Sequence, residues 1–305
     1  MVGRQYLGVA AAGAVARPAW RNDAGPTGPA SHHRRADGTD NALMPAPVEI
    51  TFLGHSTVLI EVGGVRILTD PVLFDRVSLL RRVGSPLDPD LYADIDIVLV
   101  SHLHLDHFDV PSLRQLGPAV EVIVPSGAGR LLQRLGFANV NELGPGRELE
   151  LADVTITATP ARHGGYRPPF GPRAAAVGYL VDADSERIYF AGDTDLFPGM
   201  AELGPVDVAL LPVWGWGPWL GSGHLNPKTA AAAVGLLHAA IAVPVHWGTL
   251  WPFGFGRVRP GKLADPPLEF AERVAATWPA RTVLVTPPGE RIAIPPRDGR
   301  GGGRP

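Results

Sequence analysis

Short apolar runs separated by turn residues recur along the chain from about residue 48 to residue 290. In the first part, Gly63-Gly64 lies between two such runs and is typical of a hairpin turn. Later runs such as 208–213 are apolar throughout, as in strands that are buried on both faces. The pattern predicts strands over residues 50–52, 57–62, 66–69, 97–100, 120–124, 154–159, 176–181, 187–191, 208–213, 243–246 and 282–285.

Helical patterns alternate with these strands in both halves of the chain. The clearest covers residues 227–238, where Asn226 is a typical N-cap, Pro227 suits the first turn and an alanine-rich run follows. Strands that alternate with helices, without a central linker, indicate one α/β domain, a four-layer αββα sandwich of two mixed β-sheets. Shorter helices are predicted over residues 111–116, 127–135 and 270–277.

The two ends of the chain differ in composition from the part between them. Residues 1–46 are rich in Pro, Gly, Ala and charge, which predicts a disordered leader ahead of a folded domain over 47–294. Residues 295–305 form a Gly- and Arg-rich segment that predicts a flexible tail. Residues 6–16 resemble a weak signal peptide only, so we expect a cytoplasmic protein, with export as the alternative.

The composition narrows the classes of function. The chain contains no cysteine, which excludes disulfides, iron–sulfur clusters and thiolate zinc sites, so any metal is held by nitrogen and oxygen. The formal net charge of −3 provides no basic field for a nucleic acid, which argues against a nuclease. No apolar run reaches 18 residues, so we expect no transmembrane helix, and any contact with a membrane would be peripheral.

The segment 101–109 carries the strongest chemical signal. It reads Ser-His-Leu-His-Leu-Asp-His-Phe-Asp and directly follows a predicted strand. On an extended segment His102 and His104 point to the same side, while Asp106 and His107 follow where the chain turns and can face a second ion. Imidazole nitrogen and carboxylate oxygen suit zinc and its first-row neighbours. The alternative, a polar loop with surface histidines, is disfavoured by the close spacing of four ligand-type residues.

Three more ligand-type residues each follow a predicted strand: His163, Asp193 and His246. Taken singly, such a residue is more often a hydrogen-bonded loop residue. Together with the segment 101–109 they provide seven nitrogen and oxygen ligands from four strand ends. That number suits two metal ions, each with three terminal ligands and one shared carboxylate.

These residues also form recognisable motifs. The chain resembles the metallo-β-lactamase superfamily in His-x-His-x-Asp-His at 102–107, the isolated His163, Gly192-Asp193-Thr194, and Pro244-Val245-His246-Trp247-Gly248. The resemblance covers roughly residues 48–290.

Finer motifs resemble one branch of that superfamily, N-acylphosphatidylethanolamine-hydrolysing phospholipase D and its bacterial relatives, with ascorbate-6-phosphate lactonase in a neighbouring group. These motifs are Leu53-Gly54-His55-Ser56-Thr57, Leu68-Thr69-Asp70-Pro71-Val72, His224-Leu225-Asn226-Pro227 and His246-Trp247-Gly248-Thr249.

The resemblance implies two divalent metal ions, zinc by default, with iron or manganese as alternatives. It assigns Asp193 as the bridge between them, and Asp106 also as the residue that orients the nucleophile. A hydroxide formed on the metals would attack phosphorus or a carbonyl carbon. The remaining ligands divide into His102, His104 and His163 for the first ion, and Asp106, His107 and His246 for the second.

The implied enzyme is a metal-dependent hydrolase of phosphodiesters, including lipids of the N-acylphosphatidylethanolamine type. The alternative is a lactonase or other carboxylic-ester hydrolase of the ascorbate-6-phosphate lactonase type. A non-catalytic metal-binding module is disfavoured because all seven ligand-type residues are present. The expected partner is a small-molecule or lipid-like substrate, nucleic acid is not expected, and a homo-oligomer is compatible with the sequence.

Three residues outside the ligand set are further candidates. His224 lies in a glycine-rich loop before a helix N-terminus and would protonate the leaving group; the alternative is a histidine that only tethers the loop. His55 and Asp70 are expected to support the metal ligands, although a buried structural role for His55 is equally compatible with its position.

Tryptophan is concentrated next to the proposed metals. Gly and Pro alternate with Trp214, Trp216 and Trp219 on one loop, and Trp247 directly follows a proposed ligand. We expect an aromatic wall that faces an apolar part of the substrate, such as an acyl chain, although core packing would account for one or two of these side chains.

Overall fold

The computed structural model describes residues 47–183, 186–255 and 258–294. The predicted leader (1–46) and tail (295–305) lie outside the described residues and stay predictions. None of the described helices is both long enough and apolar enough to cross a bilayer.

Seventeen strands and four α-helices make up the described part of the chain. The strands are β1 (Glu49–Gly54), β2 (Thr57–Val62), β3 (Val65–Thr69), β4 (Arg76–Val77), β5 (Leu80–Arg82), β6 (Ile97–Leu99), β7 (Glu121–Pro125), β8 (Val140–Leu143), β9 (Glu148–Leu151), β10 (Val154–Pro160), β11 (Val177–Ala183), β12 (Glu186–Phe190), β13 (Val208–Pro212), β14 (Ile241–Val245), β15 (Leu250–Pro252), β16 (Thr282–Val283) and β17 (Glu290–Ala293). The helices are α1 (Val110–Leu116), α2 (Gly129–Arg134), α3 (Pro227–Leu236) and α4 (Asp265–Thr277), and short 3-10 turns cover Pro89–Tyr92, Pro198–Glu202 and Pro260–Leu263.

Two seven-stranded mixed sheets carry the fold. The first has the order β17-β1-β2-β3-β6-β7-β8 and the second the order β16-β14-β13-β12-β11-β10-β9. In each sheet a parallel part adjoins an antiparallel part, for example β3-β6-β7 beside β1-β2-β3. A small three-stranded sheet, β15-β5-β4, lies apart from both.

The side chains of the first sheet alternate between two apolar layers. Ile97, Leu99 and Ile123 contribute to the main core between the two sheets, which also includes buried residues of α3 and α4. Their neighbours Val98 and Val122 face the other way, into a separate core that includes residues of α1 and α2. Because strand side chains alternate between faces, each strand joins both layers. The predicted four-layer αββα sandwich is confirmed.

Helix α3 forms at the predicted place. Asn226 accepts from the backbone N–H groups of Lys228 and Thr229 at 2.9 and 3.1 Å, and the Thr229 hydroxyl lies 2.9 Å from the backbone nitrogen of Asn226, which completes a capping box. Pro227 occupies the first turn, where its missing N–H has no cost. Helix α4 begins earlier than predicted, at Asp265, because its two prolines also fall in the first turn.

The direction of the strands decides where the chemistry gathers. In the second sheet β10, β12 and β14 run the same way, since β11 is antiparallel to both β10 and β12, and β12, β13 and β14 are parallel. In the first sheet β1, β3 and β6 share one direction for the same reason. The carboxyl ends of these six strands meet at one edge of the sandwich, and each is followed by a candidate site residue.

Candidate metal centre

The histidine-rich segment leaves β6 and folds into a tight loop before α1. The backbone N–H groups of His107 and Phe108 both donate to the carbonyl of His104, at 3.2 and 2.8 Å. Asp109 then caps α1 by accepting from the backbone N–H of Ser112 at 3.0 Å. These backbone hydrogen bonds hold the loop in one conformation, which fixes the positions from which its imidazoles extend.

Three histidines converge at the first part of the site, which we call the outer group: His102, His104 and His163. The Nδ1 atom of His104 lies 3.0 Å from His102 Nε2 and 3.1 Å from His163 Nε2. His102 is fully buried, whereas the other two are half-buried. Two residues of the loop after β6 are thus joined by one that follows β10 of the other sheet.

The three imidazoles of the outer group carry too few ring protons to make a hydrogen bond of each close contact between their nitrogens. Burial lowers the pKa of all three imidazoles, that of His104 to about 4, so each carries one N–H at pH 7. His163 uses its N–H to donate to the carbonyl of Gly223 at 2.8 Å. The hydroxyl of Ser101 already donates to a carboxylate, so His102 Nδ1 donates to that hydroxyl at 2.9 Å. Two lone pairs therefore face His104 Nδ1, which offers one proton at most.

A second set of ligand-type side chains, the inner group, contains Asp106, His107 and His246, and all three are buried. The Nε2 atoms of the two histidines are 3.1 Å apart. Asp106 Oδ2 lies 3.6 Å from His107 Nε2 and 3.9 Å from His246 Nε2. His246 Nδ1 donates to the carbonyl of Trp214 at 3.0 Å, and burial lowers the pKa of His246, so its Nε2 presents a lone pair to the group.

Asp193 lies between the two groups. Its Oδ2 is 3.1 Å from His107 Nε2 in the inner group and 3.9 Å from both His102 Nε2 and His163 Nε2 in the outer group. Its Oδ1 is buried and has no hydrogen-bond partner among the described residues. A buried carboxylate oxygen without a hydrogen bond, beside imidazole lone pairs, is the environment of a cation.

The electrostatics of the inner group also favour a cation. Burial alone would lower the pKa of His107, but the carboxylates of Asp193, Asp106 and Asp70 together raise it well above the usual value. Burial alone would raise the pKa of Asp106 and Asp193, yet the surrounding imidazoles, His107 foremost, hold the pKa of both side chains below the usual value of an aspartate. The group therefore concentrates ionised carboxylates that attract positive charge.

Asp70 and His55 contact these ligands directly. Asp70 accepts from His107 Nδ1 at 2.7 Å and from the backbone N–H and hydroxyl of Ser101 at 2.7 and 2.6 Å. His55 Nε2 lies 2.9 Å from Asp106 Oδ2. Because Ser101 in turn holds His102, Asp70 supports one histidine of each group.

The backbone at the strand ends is shaped for these contacts. His55, Asp70 and His246 each directly follow a strand and have positive φ angles of 57°, 35° and 60°. Non-glycine residues adopt this region at a cost, and such residues concentrate at functional sites. At Gly192, with φ 57°, an added Cβ would lie 2.5 Å from the Cβ of Ser101, so only glycine fits before Asp193.

His224 reaches the same centre. Its Nε2 lies 3.2 Å from Asp193 Oδ2, and its Nδ1 lies 3.2 and 3.0 Å from the carbonyls of Gly221 and Ser222. The loop before α3 thus brings an imidazole to the edge of the ligand set, where it is half-buried and reachable from solvent.

The structure divides the predicted aromatic wall. Trp216 and Trp219 are 44% and 59% exposed and line an open, mainly apolar recess of about 500 Å³ with Phe255 and Pro252. We call this the apolar recess. Trp247 does not belong to it, because its ring is buried against Phe52 at a centroid distance of 5.7 Å and its Nε1 donates to the carbonyl of Pro244 at 2.9 Å. Trp214 is also buried, and its backbone carbonyl accepts from His246 Nδ1.

Three further residues support the site through contacts that the sequence did not predict: Ser101, Thr249 and Arg167. Ser101 precedes His102 at the strand end, and a small hydroxyl residue there was the available clue. Thr249 accepts from the backbone N–H of His55 at 2.7 Å. Arg167 donates to the backbone carbonyls of Leu103 and Phe108, which anchors the histidine-rich loop to the segment between β10 and β11.

Known proteins resemble this chain over most of its described length. The model of the β-lactamase superfamily domain matches residues 65–247. An N-acyl-phosphatidylethanolamine-hydrolyzing phospholipase D of Caenorhabditis elegans is 33% identical over 230 residues, which are 67% of this chain and 64% of that protein. A metal-dependent hydrolase of Methanopyrus kandleri is 33% identical over 258 residues, 80% of this chain and 98% of that protein. The chain therefore spans less than two thirds of the worm relative and nearly all of the archaeal one.

Solved structures show the same fold. A metallo hydrolase from Ignicoccus hospitalis is 27% identical, with a TM-score of 0.64 over 81% of this chain and 98% of its own. An isothiocyanate hydrolase from Delia radicum gut bacteria is 20% identical, with a TM-score of 0.62 over 81% of this chain and 99% of its own, a likeness of fold alone.

Proposed function

The chain belongs to the metallo-β-lactamase superfamily as a metal-dependent hydrolase, and on that premise we propose that it cleaves phosphodiesters at a centre of two divalent metal ions. The observation that carries the proposal is the convergence of lone pairs in the outer group. Two neutral imidazoles direct Nε2 at His104 Nδ1 within 3.1 Å, with one proton at most among them. A cation satisfies all three nitrogens at once.

The proposed ligands follow the two groups. His102, His104 and His163 would hold one ion, Asp106, His107 and His246 would hold the other, and Asp193 would be a ligand of both. Nitrogen and oxygen donors without thiolate favour zinc, with iron or manganese as alternatives. When bound, such ions supply Lewis-acid activation of water and stabilise negative charge that develops on the substrate.

Two side chains of this chain then act on protons. We assign Asp106 the orientation of the attacking water, because its Oδ2 is fixed by His55 at 2.9 Å while the side chain faces the inner group. We assign His224 the protonation of the leaving oxygen from Nε2, since its Nδ1 faces the loop carbonyls of Gly221 and Ser222.

The choice of a phosphodiester rests on two supports. The worm relative is named a phospholipase D that hydrolyses N-acyl-phosphatidylethanolamine. The apolar recess beside His224 would accept an acyl chain or another apolar group of a lipid-like substrate. Peripheral contact with a membrane would then be made through the exposed rings of Trp216 and Trp219.

The test combines metal content with turnover of two substrates. Purified protein is loaded with zinc, iron or manganese, its metal content is measured, and hydrolysis of bis(p-nitrophenyl) phosphate and of a simple lactone is followed. We expect about two metal ions per chain and phosphodiester turnover. Asp193→Ala is expected to lose metal and to reduce turnover by about a thousandfold or more.

Asp153→Ala is the matched control, since that carboxylate is exposed on a turn and does not contact the site. Turnover of the lactone alone would establish the alternative, a carboxylic-ester hydrolase on the same centre. A protein that binds none of the three metals after loading would refute the proposal.

A further inference from the structure

A second recess adjoins the apolar one. It has a volume of about 580 Å³, is lined mainly by polar atoms, and contains Asp195, Asn226, Lys262 and Glu269. We call it the polar recess. Leu220, Gly221 and His224 line both recesses, so the two meet at the imidazole that touches Asp193.

Lys262 is the notable charge of the polar recess. Its Nζ lies 4.3 Å from the centroid of the Trp214 ring, and it has no salt-bridge partner among the residues that the structure describes. Trp214 in turn fixes the metal-facing residue His246 through its carbonyl. The side chain of Lys262 is half-buried, and its ammonium group lies over the Trp214 ring with its charge free for a ligand.

Neither carboxylate of the polar recess forms a salt bridge with Lys262. Glu269 already pairs with Arg273 at 2.8 Å on α4. Asp195 accepts from the backbone N–H of Leu196 at 2.8 Å. Lys262 is therefore the one unpaired cation among the described residues that line this recess.

We propose that the polar recess binds an anionic group of the substrate that is separate from the ester being cleaved, and that Lys262 determines specificity for it. The inference rests on the proposed function, because it places the scissile group between the two recesses. The preferred substrate then carries an apolar chain on one side of the scissile bond and a carboxylate or second phosphate on the other.

The lysine content of the chain gives the test a built-in control. The sequence contains two lysines, Lys262 and Lys228. Lys228 is exposed in the first turn of α3 and does not line the recess. The same substitution at the two positions therefore separates the effect of the recess from a general change in charge.

The kinetic experiment uses three octyl phosphodiesters whose second alcohol ends in methyl, carboxylate or trimethylammonium, with the zinc-loaded full-length protein. We expect kcat/KM for the carboxylate to exceed that for the methyl compound by about fivefold, the size of a partly exposed charge pair. Lys262→Met, which keeps the apolar stem against Trp214, is expected to abolish this preference. Lys262→Arg is expected to keep it, Lys262→Glu to shift it to trimethylammonium, and Lys228→Met to leave it unchanged.

A binding experiment separates this inference from the proposed function. The rates of acetylation of Lys262 and Lys228 are measured by mass spectrometry with the non-hydrolysable phosphonate that carries the octyl chain and the carboxylate. Slower acetylation of Lys262 alone, and no slowing by the methyl-ended phosphonate, would support the polar recess as a binding site even without turnover. Absence of protection, or a carboxylate preference that survives in Lys262→Met, would overturn the inference. Absence of turnover for all three diesters would instead count against the proposed function.

Discussion

The inner and outer groups of the centre use the same side-chain chemistry but are built differently. The inner group is buried, and its His107 is held by the carboxylate of Asp70. The outer group has two half-buried histidines and is held by neutral partners, the hydroxyl of Ser101 and the carbonyl of Gly223. A charged hydrogen-bond partner in a buried site fixes a ligand more firmly than a neutral partner does. The difference indicates a tight inner ion and a more exchangeable outer ion on the proposed assignment.

The largest effect is expected when metal is withdrawn in steps. Titration of the zinc-loaded protein with dipicolinate, followed by metal content and phosphodiester turnover, is expected to remove the outer ion first. Turnover should be lost almost completely when half of the metal has left, because both ions share Asp193.

His163→Ala identifies the step of the titration that belongs to the outer ion. This variant is expected to lack the first step of metal loss and to keep the second. If it keeps the first step instead, the ranking of the two groups is wrong.

An intermediate effect is expected for Asp70→Asn. The substitution removes the charge that holds His107, and we expect metal affinity to fall by about 10- to 100-fold, chiefly at the inner group. Competition with a chelator measures the two affinities. Asp109→Asn is the control, since this buried carboxylate caps α1 through Ser112 and touches no histidine of the centre. Equal losses in the two variants would mean that Asp70 acts only on folding.

The smallest effect is expected for Ser101→Ala. His102 loses its hydrogen-bond acceptor, and we expect the affinity of the outer group to fall by about tenfold. The same chelator competition measures it. Ser56→Ala is the matched control, because the Ser56 hydroxyl is buried without a hydrogen-bond partner among the described residues. A larger loss at the inner group than at the outer one would contradict the comparison.

The sequence predicted the parts of the fold whose residues carry a strong local pattern. Strands such as β6 and β13 are apolar throughout, and α3 has both a cap and a proline in its first turn. The short strands β9 and β17 were not predicted, because both lie at sheet edges and carry exposed charged residues, as in Glu-Leu-Glu-Leu of β9. Length and composition alone do not identify such edge strands.

The candidate site likewise contains residues that the sequence predicted and residues that it did not. The histidines and aspartates were found because ligand types at close spacing are rare, and the structure brings all seven together. The contacts of Arg167 and Thr249 were not predicted, because each acts on backbone atoms far away in sequence. Trp247 lies in the core, since burial of an aromatic ring depends on tertiary packing that its neighbours in sequence do not reveal.

The contact at the centre between residues far apart in sequence has a consequence for synthesis on the ribosome. The three histidines of the outer group have all been synthesised once His163 is added, whereas the inner group is complete only with His246, whose backbone N–H donates to the carbonyl of His55 at 2.6 Å. Strand β1 also waits for β17, its last partner. On the proposed assignment, a growing chain therefore carries the histidines of the outer ion while the ligand set of the inner ion is still incomplete, and a complete centre forms only after the last strands are made.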